Sequence, residues 1–288
     1  MDNDFSDTSV VVTGATSGIG LATVKALVHA GAFVIGVGRL EVRNQNAYVR
    51  VSAGTPKGKA VFLLSDLAVQ DQIISLGKAI HRVLNANGFS RLDVLINNAG
   101  IYLEKKQVTV DDIEKTFAVN HLSAFLLTHE VMGMLQQADP GKVITVSSYS
   151  HRSTPLNLRR IIDPKPYLGL LAYKRSKLCN ILFTHALNSR EDRIIAFAVD
   201  PGLVNTAIAS KGSNGLSDLV WRIRRKKGTP PEVPARTILY LAGEDQIDLS
   251  KGIYYKNCKL ISASRKAHRK DLANQLWDLS CELTGIDW

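Results

Sequence analysis

The chain has 288 residues, 45% hydrophobic and 22% charged: enough apolar material for one large α/β domain or two modest ones, and too much for a disordered or fibrous chain. Lysine and arginine number 36 against 26 aspartates and glutamates, a net charge of +10, which makes nucleic acid or an anionic surface the first partner to test. Cys179, Cys258 and Cys281 are far apart and show no CxxC or Cys/His spacing, so neither a disulfide framework nor a zinc site is suggested and a reducing compartment is expected.

In chain order, the start MDNDFSD is acidic where a signal peptide would be basic, and no run reaches the roughly 18 apolar residues of a membrane span, so a soluble cytoplasmic protein is expected. An apolar strand at 10–12 runs into a glycine-rich turn, followed by a helical pattern over 18–30 and a second strand at 32–37. The alternation continues with strands at 60–64, 92–96, 142–146 and 194–199 and helices at 71–84, 110–136 and 171–188. Such alternation predicts a parallel sheet covered by helices on both faces. A Gly/Ser-rich and basic stretch at 209–234, a helix at 235–242, a short strand at 252–255 and a helix from about 270 complete one domain spanning 1–288, since no repeat or linker divides the chain.

The first turn reads Thr13-Gly14-Ala15-Thr16-Ser17-Gly18-Ile19-Gly20. Glycines between a strand and a helix let a pyrophosphate approach the amides and the positive end of the helix dipole, although glycines also occur in ordinary turns. After the second strand the chain reads Gly38-Arg39-Leu40, with no aspartate from 30 to 50 to accept bonds from a ribose. A guanidinium there suits a 2′-phosphate, which gives NADP(H) as the cofactor. NAD(H) is the secondary option, with Glu41 serving the ribose and Arg39 solvated.

Tyr173 and Lys177 lie one helical turn apart on the same face, so the ammonium is expected to favour the phenolate and bring the phenol toward neutrality. Ser147-Ser148 follows the strand at 142–146, Asn97-Asn98-Ala99-Gly100 ends the strand at 92–96, and Asn120 stands in the long helix, so polar residues gather at the carboxyl edge of the sheet.

These motifs, with Pro201-Gly202, stand in the order found in short-chain dehydrogenases/reductases, and from about Ser9 to Gly285 the chain resembles that family. Within it, VNHLSAFLLT from Val119, VSSYSH from Val146, TPPE at Thr229, YYKNCK from Tyr254 and LWDLSCELTGI from Leu276 are similar to the retinol dehydrogenase and WW-domain oxidoreductase branch. Departures from that branch are Asp200 before Pro-Gly in place of the common His, and Ser123 in place of Gly. The resemblance implies a Rossmann-type, doubly wound, seven-stranded sheet and hydride transfer between nicotinamide and a carbonyl or alcohol carbon. It implies Tyr173 as acid or base, Lys177 as its modulator and ribose ligand, Ser148 on the substrate oxygen, and Asn120 in support of a water-linked proton path. It places the cofactor against Gly14, Thr16, Ser17, Gly18, Ile19 and Gly20, with Arg39, then Asp66 and Leu67 at adenine, Asn98, Ala99 and Gly100 on the ribose side, and Val204 and Thr206 at the carboxamide.

A substrate lid is expected over about 203–234. Its 216–227 part, LSDLVWRIRRKK, combines an apolar stripe with five cations, which fits either a lipophilic substrate with contact to an anionic membrane or an ordinary solvated helix end. Arg152, Arg159, Arg160 and Lys165, in the other substrate wall, could meet an anionic substrate or water. His121 and His151 read as packing or surface residues, and none of the seven histidines has metal-ligand spacing. The expected partner is a small carbonyl or alcohol, with no nucleic acid, and pairing into a homo-oligomer is left open. The alternative function is an NADP(H)-binding sensor or scaffold without turnover.

Overall fold

The computed structural model describes residues 4–54, 56–205, 228–244 and 248–288. Eight strands, β1 (Ser9–Thr13), β2 (Phe33–Gly38), β3 (Lys59–Leu64), β4 (Val94–Asn97), β5 (Gly141–Val146), β6 (Ile194–Val199), β7 (Tyr254–Lys256) and β8 (Lys259–Leu260), form one sheet. Their order is β3-β2-β1-β4-β5-β6-β7-β8. All pairings are parallel except β7 with β8. Every residue of β1, β2, β4 and β5 is buried, as uninterrupted apolar runs require when helices cover both faces.

The eighth strand corrects the expected seven. Asn257 and Cys258 both have positive φ, 50° and 59°, and this two-residue turn folds the chain back on β7. The short antiparallel strand left no periodic signal of its own.

The helices are α1 (Gly18–His29), α2 (Glu41–Ser52), α3 (Gln70–Ala86), α4 (Lys115–Phe117), α5 (Ser123–Glu130), α6 (Met132–Leu135), α7 (Gly169–Arg190), α8 (Glu232–Gly243) and α9 (Lys270–Thr284). The expected long helix at 110–136 is therefore broken. Glu114 sets its start by accepting bonds from the N–H groups of Thr116 and Phe117, both at 2.8 Å, and a π-turn at Ala118–Leu122 separates α4 from α5. Such one-turn π insertions re-aim side chains and are frequent at functional sites. Helix α2 carried no clear apolar period because it buries only Asn44, Ala47 and Val51.

One face of the sheet is packed by α3, α5 and α7, with α9 on α7, and the other by α1 and α8. The strand order reverses between β1 and β4, so their carboxyl ends diverge and open a crevice. Val204 pairs with Thr229, joining the two ends of the expected lid region. Thr206 and the basic 216–227 stretch lie outside the described residues. Among the described residues no helix is long and apolar enough to cross a membrane, and no group of three metal-ligating side chains occurs.

Candidate active site

At the crevice the ends of β1 and β4 are laced together. The Thr13 hydroxyl oxygen accepts the N–H groups of Asn98 and Ala99, each at 3.0 Å, while the Asn98 amide donates to the Thr13 carbonyl at 2.7 Å. Gly14 takes a left-handed φ of 66°, and a methyl group on Gly20 would stand 2.3 Å from the Gly14 oxygen, so neither position accepts a side chain without strain. Ser17, the N-cap of α1, makes no side-chain bond to the helix. The first turn of α1 thus opens into a cleft of about 1160 Å³ whose wall includes Gly14, Thr16, Ser17, Gly18, Ile19 and Gly20.

One end of the cleft is lined by Arg39, Arg43, Asp66 and Leu67. Arg39 and Arg43 are exposed, and neither has a carboxylate partner among the described residues. Glu41 is turned aside to accept a bond from Gln45 at 3.3 Å and is not part of the cleft wall, which disfavours its proposed ribose role. Sequence reasoning missed Arg43. Its signal is a second cation four residues after Arg39, obscured because the α2 segment shows no clear apolar period.

At the far side, Tyr173, Lys177 and Ser148 come together where α7 passes the end of β5. Tyr173 and Ser148 line the same stretch of the cleft, the serine hydroxyl near enough to favour the phenolate, and the Tyr173 ring centre is 5.7 Å from the Lys177 ammonium. Lys177 is 2% exposed and its ammonium donates to the Val146 carbonyl at 2.9 Å. The two neighbouring serines separate clearly: the Ser147 hydroxyl is spent on the Lys177 carbonyl at 2.7 Å, whereas the Ser148 oxygen accepts the N–H of Ser150 at 3.2 Å and its hydroxyl at 3.0 Å. With two donors on its oxygen, the Ser148 hydrogen is left to point at Tyr173 or a substrate. Ser150 is a second such residue, with no signal in the sequence to single it out.

Asn120 lies in the π-turn and is buried. Its carboxamide oxygen accepts the Ile101 N–H at 2.7 Å, and its amide donates to the Ile101 carbonyl at 3.0 Å and to Ser176 at 2.9 Å, so it ties the loop after β4 to α7 one residue before Lys177. Gly100 faces this pair: a methyl group there would be 3.4 Å from both the Asn120 oxygen and the Lys177 nitrogen.

Burial pushes the Tyr173 phenol up to about 12, opposed by the nearby Ser148 hydroxyl and helped by the Asp200 charge. Burial also brings the Lys177 ammonium down to about 8. Removal from water, the largest cause, thus acts on the phenol in the direction opposite to the lowering expected from Lys177.

Asp200, the departure noted in the sequence, is buried beneath the substrate end. Its carboxylate accepts the N–H groups of Tyr149 at 3.1 Å and Gly202 at 2.9 Å, and Lys256 stands 3.8 Å away. Leu170, Leu203, Val204, Tyr102 and Arg152 complete this end. Arg159, Arg160 and Lys165 do not line it, and Lys165 pairs with Asp163 at 2.9 Å. His121 is a core residue: it stacks on Phe117, bonds Ser280 at 3.1 Å, and burial brings it down to about 3.

The short chain dehydrogenase family model matches residues 8–216. Retinol dehydrogenase 12 of Mus musculus is 33% identical over 281 residues, covering 97% of this chain and 87% of that protein. The WW domain-containing oxidoreductase of Homo sapiens is 33% identical over 287 residues, covering 96% of this chain and 68% of that protein. Among solved structures, a metagenomic short-chain oxidoreductase in complex with NADP aligns with a TM-score of 0.62 and 22% identity, covering 87% of this chain and 96% of the other. The chain belongs to the short-chain dehydrogenase/reductase family.

Proposed function

We propose that this protein is an NADP(H)-dependent reductase, or the reverse dehydrogenase, acting on a lipophilic aldehyde or ketone or the matching alcohol. The observation that carries the reading is the gathering of Tyr173, Ser148 and the buried Lys177 at one end of a cleft whose other end holds Arg39 and Arg43, which have no carboxylate partner among the described residues. The family, the similarity to retinol dehydrogenases and the NADP held by a structural neighbour support it.

The residues present fit the dinucleotide. The uncapped turn of α1 suits a pyrophosphate, and Arg39 with Arg43 suits a 2′-phosphate. Asp66 and Leu67 would meet adenine, Asn98, Ala99 and Gly100 the ribose side, and Val204 the carboxamide, with Thr206 assigned there from the family pattern. When bound, the cofactor supplies or accepts hydride. Tyr173 donates the proton that a reduced carbonyl oxygen needs, and Ser148 donates a hydrogen bond to that oxygen. Lys177 would hold the nicotinamide ribose, and Asn120, which fixes the loop and helix around it, would support a water-linked proton path from Lys177. Leu170, Leu203 and Tyr102 offer a substrate apolar surface.

NADPH oxidation followed by absorbance against a panel of lipophilic aldehydes and ketones, with NADH in parallel, tests the reading. Turnover that falls about 100-fold or more in Tyr173→Phe is expected. Full turnover in that variant defeats the assignment, and tight NADPH binding with no oxidation of any substrate favours the sensor alternative.

A further inference from the structure

We infer that His151, held as the tautomer with its proton on Nδ1, is a positioning residue that fixes Ser148 from the carboxyl-terminal segment of the chain. The inference rests on the role proposed above for Ser148.

His151 is fully buried, with 0% of its surface exposed. The backbone N–H of Ser264 approaches its Nε2 at 3.0 Å. A backbone amide can only donate, so Nε2 must carry the lone pair. The proton of the neutral ring is then on Nδ1, and it is donated to the Ser148 carbonyl at 2.7 Å. Burial, the largest effect, holds the ring below the ordinary imidazole range, consistent with the neutral form that both bonds demand. Tyr254 closes the ring in edge-on, with centroids 5.2 Å apart.

The Ser148 carbonyl also takes the His151 backbone N–H at 3.1 Å, and the Ser148 hydroxyl oxygen takes Ser150. The 148–151 turn is therefore closed on itself, and the imidazole attaches it to the segment that follows β8. Two further bonds run the same way: Arg152 donates to the Ser262 carbonyl, and the Lys266 ammonium donates to the Thr154 carbonyl at 3.0 Å. His151 is the member of this set that bonds Ser148 itself. Its side chain makes no contact with the cofactor end of the cleft, so its loss should act on the reaction and leave nucleotide affinity in place.

Three variants separate the contacts. Asn at this position retains a donor where Nδ1 stands, Gln retains an acceptor near Nε2, and Phe retains only the aromatic face. In His151→Phe, kcat should fall about tenfold or more, because a catalytic group displaced by a fraction of an ångström loses alignment, while the Kd for NADPH stays within about twofold. His151→Asn should recover kcat to within about threefold of the parent, and His151→Gln should not. Nitrogen-15 NMR of the imidazole should show the proton on Nδ1 at neutral pH.

Wild-type kcat in His151→Phe, Asn no better than Gln, or a proton on Nε2 would each overturn the inference. If the Phe variant does not fold, the Asn and Gln pair decides. The NMR readout needs no substrate, so a protein without turnover that still shows the Nδ1 proton would retire the reductase reading and leave the tautomer assignment standing.

Discussion

Replacing Arg39 and Arg43 by alanine should weaken the preference for NADPH stepwise, the double substitution leaving the protein indifferent to the 2′-phosphate. Both guanidiniums lie on the cleft wall, at the end of β2 and in the first turn of α2, and neither is held by a carboxylate of the described chain. A hydrogen bond to a charged group contributes about 1.5–3 kcal/mol, less where water screens it, as it does at these exposed positions. Taking about 1.5 kcal/mol for each arginine, a single substitution should weaken NADPH about tenfold and the double one about a hundredfold. NADH lacks the phosphate, so its affinity should move by no more than about twofold, within the range of surface substitutions. Quenching titrations give both dissociation constants, and kcat/KM with each cofactor gives the same ratio during turnover. The advantage of NADPH should also shrink with added salt. Parallel loss of NADPH and NADH affinity, or a parent protein that binds NADH as tightly as NADPH, would refute the reasoning.

Three further outcomes follow from the geometry. Lys177 is buried, and its fall from 10.5 to about 8 represents about 3 kcal/mol against the charged form. That cost is fully present below about pH 8 and is relieved as pH rises toward 10.5, where the unfolded chain still holds the proton that the folded one has released. Guanidinium unfolding of the nucleotide-free protein should therefore show a stability advantage of Lys177→Met at pH 7 that narrows by pH 10, and a gap that stays constant or widens would contradict the burial argument. Asp200→Ala strips two backbone N–H groups of their acceptor, at about 1–3 kcal/mol each, and should lower the melting temperature by about 4 °C or more, with Asp200→Asn largely restoring it. Ser150→Ala removes one of the two donors on the Ser148 oxygen and should reduce kcat about threefold to tenfold with NADPH affinity unchanged, which steady-state kinetics and the same quenching titrations check.

Much of this molecule was legible in one dimension because its signals are local. Uninterrupted apolar runs and helical spacing announced the alternating elements, Gly14 and Gly20 marked a turn that tolerates no side chain, and the four-residue interval from Tyr173 to Lys177 placed both on one helical face. What local pattern could not carry was decided by contacts between distant parts of the chain. Arg43 joined Arg39 only because a weakly amphipathic segment became a helix against the sheet, and the commitment of the Ser147 hydroxyl to the Lys177 carbonyl, which sets it apart from Ser148, depends on α7 crossing the end of β5. The protonation of Tyr173 turned on how much water the fold removes, a quantity that spacing along a helix does not contain. His151 read as a residue of no special use until Ser264, 113 residues further on, supplied the N–H that determines which of its nitrogens carries the proton. The sequence by itself determined the family, the sheet and the order of the reactive groups, since these follow from residue types at short range. Their charge states and orientations belonged to the tertiary structure, because desolvation and hydrogen-bond partnership exist only once remote segments meet.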